Sequence, residues 1–242
     1  MNPILLIPAR MASTRLPGKP LADIAGQPMI VRVWRQAVAA GLGPAVVAAG
    51  EEEIVAAMAK AGGQAVLTDP GLPSGSDRIF DALTKLDPDG AHDVVVNLQG
   101  DLPALDPLQI RAVVRALTDS GADIATLAAP IDNDGDRTNP AVVKAVVAWD
   151  AGERLGRALY FTRATAPTGD GALYHHVGIY AFRRAALARF VALPPSPLER
   201  REKLEQLRAL EANMSIAVAR VDRAPLSVDT PADLERARRL LA

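Results

Sequence analysis

Apolar positions in this chain form short unbroken runs separated by longer segments with helical spacing. Residues 4–7 (ILLI) have the length of a buried strand. Residues 28–41 (PMIVRVWRQAVAAG) predict a helix, with Pro28 near its start and Gly41 as its C-cap. A second strand follows over 45–49. Residues 51–61 then form a helix whose first turn holds three acids, which complement the positive end of the helix dipole. A third strand is predicted over 64–68 and a helix over 76–86. Residues 93–98 (DVVVNL) are the most hydrophobic strand and so a central one. A helix over 107–120 and a strand over 123–129 complete this half. Strands alternating with helices imply parallel pairing and right-handed crossovers. The fold class is therefore α/β: a doubly wound, mostly parallel, Rossmann-like sheet over residues 1–130.

Residues 131–242 have a different texture. Strands are expected over 142–149, 174–182 and 215–221. Pro194, Pro195 and Pro197 make a stiff turn ahead of a helix over 198–210. The closing helix, 230–241, opens on Thr-Pro-Ala-Asp, which supplies an N-cap, a proline at the first helical position and an acid at the third. This half reads as a smaller α+β lobe of the same single domain. No internal repeat and no low-complexity linker interrupts the chain.

Composition narrows the chemistry. The 242 residues carry 27 basic and 28 acidic side chains, a formal net charge of −1, which argues against a nucleic-acid protein working by blanket phosphate neutralisation. The absence of cysteine excludes a disulfide scaffold, a thiol nucleophile and a thiolate-bound metal. The first apolar run is too short for a signal peptide or a membrane span, so a soluble cytoplasmic protein is expected, with no membrane partner.

The most informative segment is PARMASTRLPGKP, residues 8–20, directly after the first strand. Ligands of open α/β sheets sit beyond the carboxyl ends of the strands. The segment holds Arg10, Arg15 and Lys19, and no acid occurs in residues 1–22. Such a loop either is a solvated basic turn or cradles phosphate: arginine offers a planar fork, lysine a mobile point charge, and Ser13, Gly18 and backbone amides can approach the same anion. The loop matches neither the Walker A pattern nor GxGxxG, so P-loop hydrolysis and dinucleotide binding lose their usual support.

An ordered set of further motifs follows: Gln99-Gly100-Asp101 after the Val-rich strand, His176-Val177-Gly178-Ile179-Tyr180, Ser196-Pro197-Leu198-Glu199 with Leu204-Glu205-Gln206-Leu207-Arg208, and Val228-Asp229-Thr230-Pro231 with Asp233-Leu234. Together with the first loop this set resembles the 3-deoxy-manno-octulosonate cytidylyltransferase family (CMP-Kdo synthetases), in order from residue 4 to residue 241. No single motif is decisive; the ordered set is specific. The resemblance implies a nucleotide-diphospho-sugar transferase-like fold. It implies transfer of CMP from CTP to the sugar acid Kdo with Mg²⁺, release of pyrophosphate, a place in lipopolysaccharide synthesis, and a homodimer.

Residue roles follow from the resemblance. Arg10, Ser13, Arg15 and Lys19 would hold the triphosphate, with Arg10, Lys19 and Asp101 central to catalysis. Asp101 and Asp229 would hold Mg²⁺, a hard cation that takes one or two carboxylates plus phosphate and water. Residues 74–78 (SGSDR) resemble a family Ser-Gly-Thr-Glu-Arg, so Ser74, Gly75 and Arg78 would meet the base. A sugar acid needs cations and amides, which Gln99, Lys144, Arg163 and His176 provide, while Tyr180, Glu199 and Gln206 can bond hydroxyls. His175 and His92 receive no role. With no protein nucleophile evident, the reaction is read as an in-line attack of the Kdo anomeric hydroxyl on the α-phosphorus.

Three departures from the family pattern bear on the sugar. Ala49-Gly50 stands where Thr-Asp is usual, Leu102 where Gly-Asp-Glu-Pro has its glutamate, and the segment from Arg163 to His176 is short. A related acid such as 8-amino-Kdo is the alternative substrate. A non-catalytic nucleotide-binding regulator is the alternative from another class; it could dispense with Asp101 and Asp229, which this chain retains.

Overall fold

A computed structural model describes residues 1–13 and 15–242. The chain forms two compact units, one made of Met1–Arg111 with Pro225–Ala242 and the other of Ala112–Ala224.

In the first unit, β1 (Pro3–Ala9), β4 (Ala45–Ala49), β5 (Gln64–Leu67) and β6 (Val94–Asn97) run parallel in the order β5-β4-β1-β6. Every residue of β4 and β6 is buried. This is why these runs lack the polar alternation of a half-exposed strand. The connections carry α1 (Met29–Ala39), α2 (Glu52–Lys60) and α3 (Gly75–Leu86), each preceded by the strand that the hydrophobic pattern predicts. Before α1 lies a two-residue-strand hairpin, β2 (Asp23–Ile24) with β3 (Gln27–Pro28), which the pattern does not announce. The closing helix α9 (Pro231–Leu241) has the expected Thr230 cap, with Asp233 reaching back to the Thr230 amide.

The division of the chain falls elsewhere than at residue 130. Leu234 and Ala237 of α9 bury against Ile24, Met29 and Val228, so the C-terminal segment belongs with the first unit. The helix α4 (Pro107–Ser120) carries the chain from one unit to the other.

The second unit is mixed rather than parallel. Its strands are β7 (Ile124–Pro130), β8 (Lys144–Trp149), β9 (Leu155–Thr162), β10 (Tyr174–Arg183) and β11 (Ile216–Arg220), in the order β10-β7-β11-β9-β8. Only β7 and β11 pair in parallel. Two elements of this unit, β9 and α6 (Arg184–Ala192), are absent from the sequence-based reading, as is the short α5 (Asp134–Thr138). The single helix expected over 198–210 is also corrected. It is two short helices, α7 (Pro197–Glu202) and α8 (Leu207–Glu211), separated where Lys203 takes a left-handed conformation with φ of 56°. The break has a charge-pairing consequence. Nine residues of continuous helix would separate Glu199 from Arg208 by about 13 Å along the axis. The broken chain instead brings Arg208 Nη2 to 2.6 Å from Glu199 Oε1.

Candidate active site

The chain that leaves the carboxyl ends of β1, β5 and β6 lines one cleft of about 400 Å³ in the first unit. It is lined by Arg10, Ser13, Arg15, Lys19, Ser74, Gly75, Arg78, Gln99, Asp101 and Asp229, with Pro8, Ala9, Ala12, Pro20, Leu72 and Gly100 between them. The structure thus gathers into one cavity every residue expected to hold nucleotide or metal, from segments more than 200 positions apart. The sequence pattern passes over the apolar and backbone part of this lining. Gly100 is needed for the approach: a Cβ there would stand 3.0 Å from the Pro8 carbonyl oxygen and 3.4 Å from Ile30 Cδ1.

Lys19 sits at the meeting point of the two acids. Its Nζ lies 2.7 Å from Asp101 Oδ2 and 3.0 Å from Asp229 Oδ1. Arg15 reaches the same Asp229 oxygen at 3.0 Å. The two carboxylates are also tied together through the backbone, since the Val228 amide donates to the Asp101 carbonyl at 2.9 Å. Burial alone would lower the Lys19 pKa. Attraction and hydrogen bonding to Asp101, and then to Asp229, outweigh burial and hold the ammonium above its ordinary range.

The other cations differ in how far they are committed. Arg78 is 2 % exposed. It donates to Thr68 Oγ1 at 2.6 Å, to the Asp69 carbonyl at 3.1 Å and to the Pro70 carbonyl at 3.4 Å. It therefore braces the wall made by residues 68–70, and burial lowers its pKa. Arg10 is exposed, and among the described residues its guanidinium has no hydrogen-bonding partner. Ser74 caps α3 by accepting from the Asp77 amide at 3.2 Å, and its hydroxyl donates to Asp77 Oδ2 at 2.7 Å.

The residues expected to meet the sugar acid, Gln99 apart, all lie in the second unit, and several are engaged internally. Lys144 is 0 % exposed, donates to the Asn139 carbonyl at 2.7 Å and has a pKa lowered by burial. Arg163 donates to the carbonyls of Glu202 and Pro140 at 2.9 and 3.0 Å. Glu199 is held by Arg208 and accepts from the Ser196 amide at 3.0 Å. His176 is buried with Nε2 3.0 Å from Thr126 Oγ1, and burial pushes its pKa down to about 3. Thr126 Oγ1 also lies 2.8 Å from the Ile179 carbonyl. With the Thr126 hydroxyl donating to that carbonyl, a neutral His176 donates from Nε2 to Thr126 Oγ1. Tyr180 packs on the His176 ring at 5.6 Å, and burial raises its pKa. Gln206 Nε2 is buried with no hydrogen-bonding partner among the described residues.

One acid near the cleft escapes the sequence-based reading. Glu51 is one of three acids at the start of α2, where the sequence alone assigns it to the helix dipole. Its carboxylate instead accepts from the Met11 amide at 2.8 Å. It is the first residue after Gly50, where the family's usual aspartate is missing. A Cβ at Gly50 would stand 3.0 Å from Arg78 Nη1 and 3.4 Å from Arg10 Cβ, so this corner is already filled by the two arginines. Leu102, the other position lacking an acid, is buried.

A parallel sheet whose strand ends present clustered cations beside paired carboxylates is the arrangement of a nucleotide-handling transferase. The chain belongs to the cytidylyltransferase family: the family model of that description matches residues 4–216. Within that family it groups with the 3-deoxy-manno-octulosonate cytidylyltransferases. It is 67 % identical over 241 residues to the one from Parvibaculum lavamentivorans, covering 100 % of this chain and 93 % of that relative. It is 62 % identical over 241 residues to the one from Paramagnetospirillum magneticum, covering 100 % and 98 %. A solved structure of CMP:2-keto-3-deoxy-manno-octonic acid synthetase complexed with CTP superposes with a TM-score of 0.91 at 36 % identity, covering 99 % of this chain and 98 % of that one.

Proposed function

We propose that this chain transfers CMP from CTP to the anomeric hydroxyl of Kdo, giving CMP-Kdo and pyrophosphate. Membership of the 3-deoxy-manno-octulosonate cytidylyltransferases supports the substrates. The observation that carries the chemistry is the convergence of Arg10, Arg15 and Lys19 with Asp101 and Asp229 in one cleft at the strand ends. Arg10 and Arg15 attract the triphosphate, and Lys19 shifts from the carboxylates to the phosphates as it enters. Arg78 contributes its charge and the rigidity of its wall, beside Ser74 and Gly75, against which the base lies. Among the described residues no histidine lines the cleft, and positioning and electrostatics supply most of the rate.

The carboxylates fit a divalent cation. Asp101 and Asp229 already converge on one positive centre, the Lys19 ammonium, at 2.7 and 3.0 Å. No group of three or more acidic, histidine or cysteine ligands occurs among the described residues. A donor set of two carboxylates, completed by phosphate and water, suits Mg²⁺. Asp101 and Asp229 would hold it, and it would supply charge neutralisation at the α-phosphoryl oxygens. In the second unit, Gln206, Tyr180 and His176 are the recognition candidates for Kdo. Lys144, Arg163 and Glu199 shape that surface through their internal partners.

We further propose a cytoplasmic homodimer serving lipopolysaccharide synthesis. Light scattering at twice the chain's 25.5 kDa would support the dimer, and a 25.5 kDa species would contradict it. Among the described residues no helix is long and apolar enough to cross a membrane. The test of the reaction is pyrophosphate release with CTP and Mg²⁺, with and without Kdo, beside the Asp101→Ala protein. Kdo-dependent release that the substitution abolishes is expected. Release indifferent to Kdo, or intact in the variant, would overturn the assignment.

A further inference from the structure

Arg10 is the first residue beyond β1, where the ladder no longer holds the backbone. Yet its backbone is bracketed on both sides by one dipeptide. On one side the Gly50 amide donates to the Ala9 carbonyl at 2.9 Å; on the other the Met11 amide donates to Glu51 Oε2 at 2.8 Å. Glu51 is the N-cap residue of α2, with φ of −137° and ψ of 151°, the conformation from which a cap side chain ordinarily turns back onto its own helix. Here it makes no such bond. Its carboxylate reaches 40 residues back along the chain to the loop, leaving the helix end to Glu52 and Glu53.

We infer that Glu51 is a positioning residue for the triphosphate: by anchoring the Met11 amide it fixes where Arg10 presents its guanidinium to the cleft. The inference rests on the assignment of Arg10 to the nucleotide. Glu51 does not line the cleft, so it acts through the loop and not by touching ligand. Its sign suits the place. It attracts Arg78, whose guanidinium Arg10 repels, so the acid offsets a cluster of like charge while it holds the loop. Gly50 completes the clamp, because any side chain there would press on Arg10 Cβ and Arg78 Nη1.

The test separates a hydrogen bond from a charge. Glutamine keeps an acceptor oxygen that alanine lacks. CTP dissociation constants would be measured by calorimetry, with Mg²⁺ and without sugar acid, for the wild type, Glu51→Ala, Glu51→Gln, Arg10→Ala and the Glu51→Ala/Arg10→Ala double variant. Glu51→Ala should weaken CTP binding at least fivefold. Glu51→Gln should stay within twofold of wild type. The double variant should bind no worse than Arg10→Ala alone, since residues acting through one another are not additive. Amide hydrogen exchange at Met11 should quicken in Glu51→Ala and not in Glu51→Gln, a readout that does not depend on turnover. Glutamine as weak as alanine would overturn the anchoring role in favour of charge. A loss in Arg10→Ala with none in Glu51→Ala would overturn the inference alone. No loss in Arg10→Ala would overturn the assignment of Arg10 on which it rests.

Discussion

Replacing Lys19 with methionine should move two affinities in opposite directions. Methionine keeps most of the apolar stem and removes the ammonium. That ammonium is now bound by Asp101 and Asp229 at 2.7 and 3.0 Å, with side-chain exposures of 16 % for Lys19, 23 % for Asp101 and 36 % for Asp229. Hydrogen bonds to charged groups contribute about 1.5–3 kcal/mol each. Partial exposure argues for the lower end of that range, because solvent screens the pair. A divalent cation that takes the two carboxylates must first displace the ammonium, forfeiting about 3 kcal/mol. Since about 1.4 kcal/mol is tenfold in affinity, the nucleotide-free Lys19→Met protein should bind Mn²⁺ on the order of a hundredfold tighter than wild type. Arg15 remains on Asp229 in both proteins and so cancels from the comparison. CTP affinity should fall in step with the proposed role of Lys19 on the phosphates. Titration by Mn²⁺ electron paramagnetic resonance, followed by CTP calorimetry, gives both numbers. Mn²⁺ binding unchanged or weaker in the variant would refute the argument that Lys19 competes for these carboxylates.

Two further outcomes follow from the second unit. His176 is held neutral by burial, with its pKa lowered from 6.5 to about 3. The unfolded chain takes up a proton below its ordinary pKa while the folded chain does not, so stability is complete above pH 6.5 and declines as pH falls toward 3. The slope of about 1.4 kcal/mol per unit amounts to about 2 kcal/mol between pH 6.5 and 5. His175 shifts in the same direction. Urea unfolding across that window should show the decline, and His176→Gln should flatten it; an equal slope in both proteins would contradict the assignment. Glu199→Ala should strip the Arg208 guanidinium, 9 % exposed, of its two short carboxylate bonds, leaving Glu205 at 3.7 Å, and destabilise the fold by about 3 kcal/mol. Thermal unfolding reads that loss, and a midpoint within a degree of wild type would show that the pair is not a structural tie.

The parallel half of the fold was legible because its signals are local. Residues 4–7, 45–49 and 94–96 are apolar on both faces, and a run without alternation has little alternative to a strand covered on each side. The closing helix was legible for the same reason, since Thr230, Pro231 and Asp233 complete a cap within four positions. The residues assigned to nucleotide and metal came from ordered motifs, most of them following a predicted strand, and the fold brings those residues to one cleft. The rest depended on contacts that no window of sequence contains. The 198–210 segment has helical spacing throughout, but it breaks at Lys203, and Arg208 folds back onto Glu199. His176, Lys144 and Arg163 carry the chemistry of a sugar site in the sequence. Only the packing of β7, β8 and β10 and the chain around Glu202 shows them bonded to Thr126, Asn139 and Glu202. Glu51 makes the same point from the other side. Three adjacent acids at a helix start look alike in sequence, and the tertiary fold singles out the first by bringing the Met11 amide within 2.8 Å. Short-range periodicity and capping set the elements, whereas partner choice among polar groups depends on distances that exist only once the chain has closed on itself.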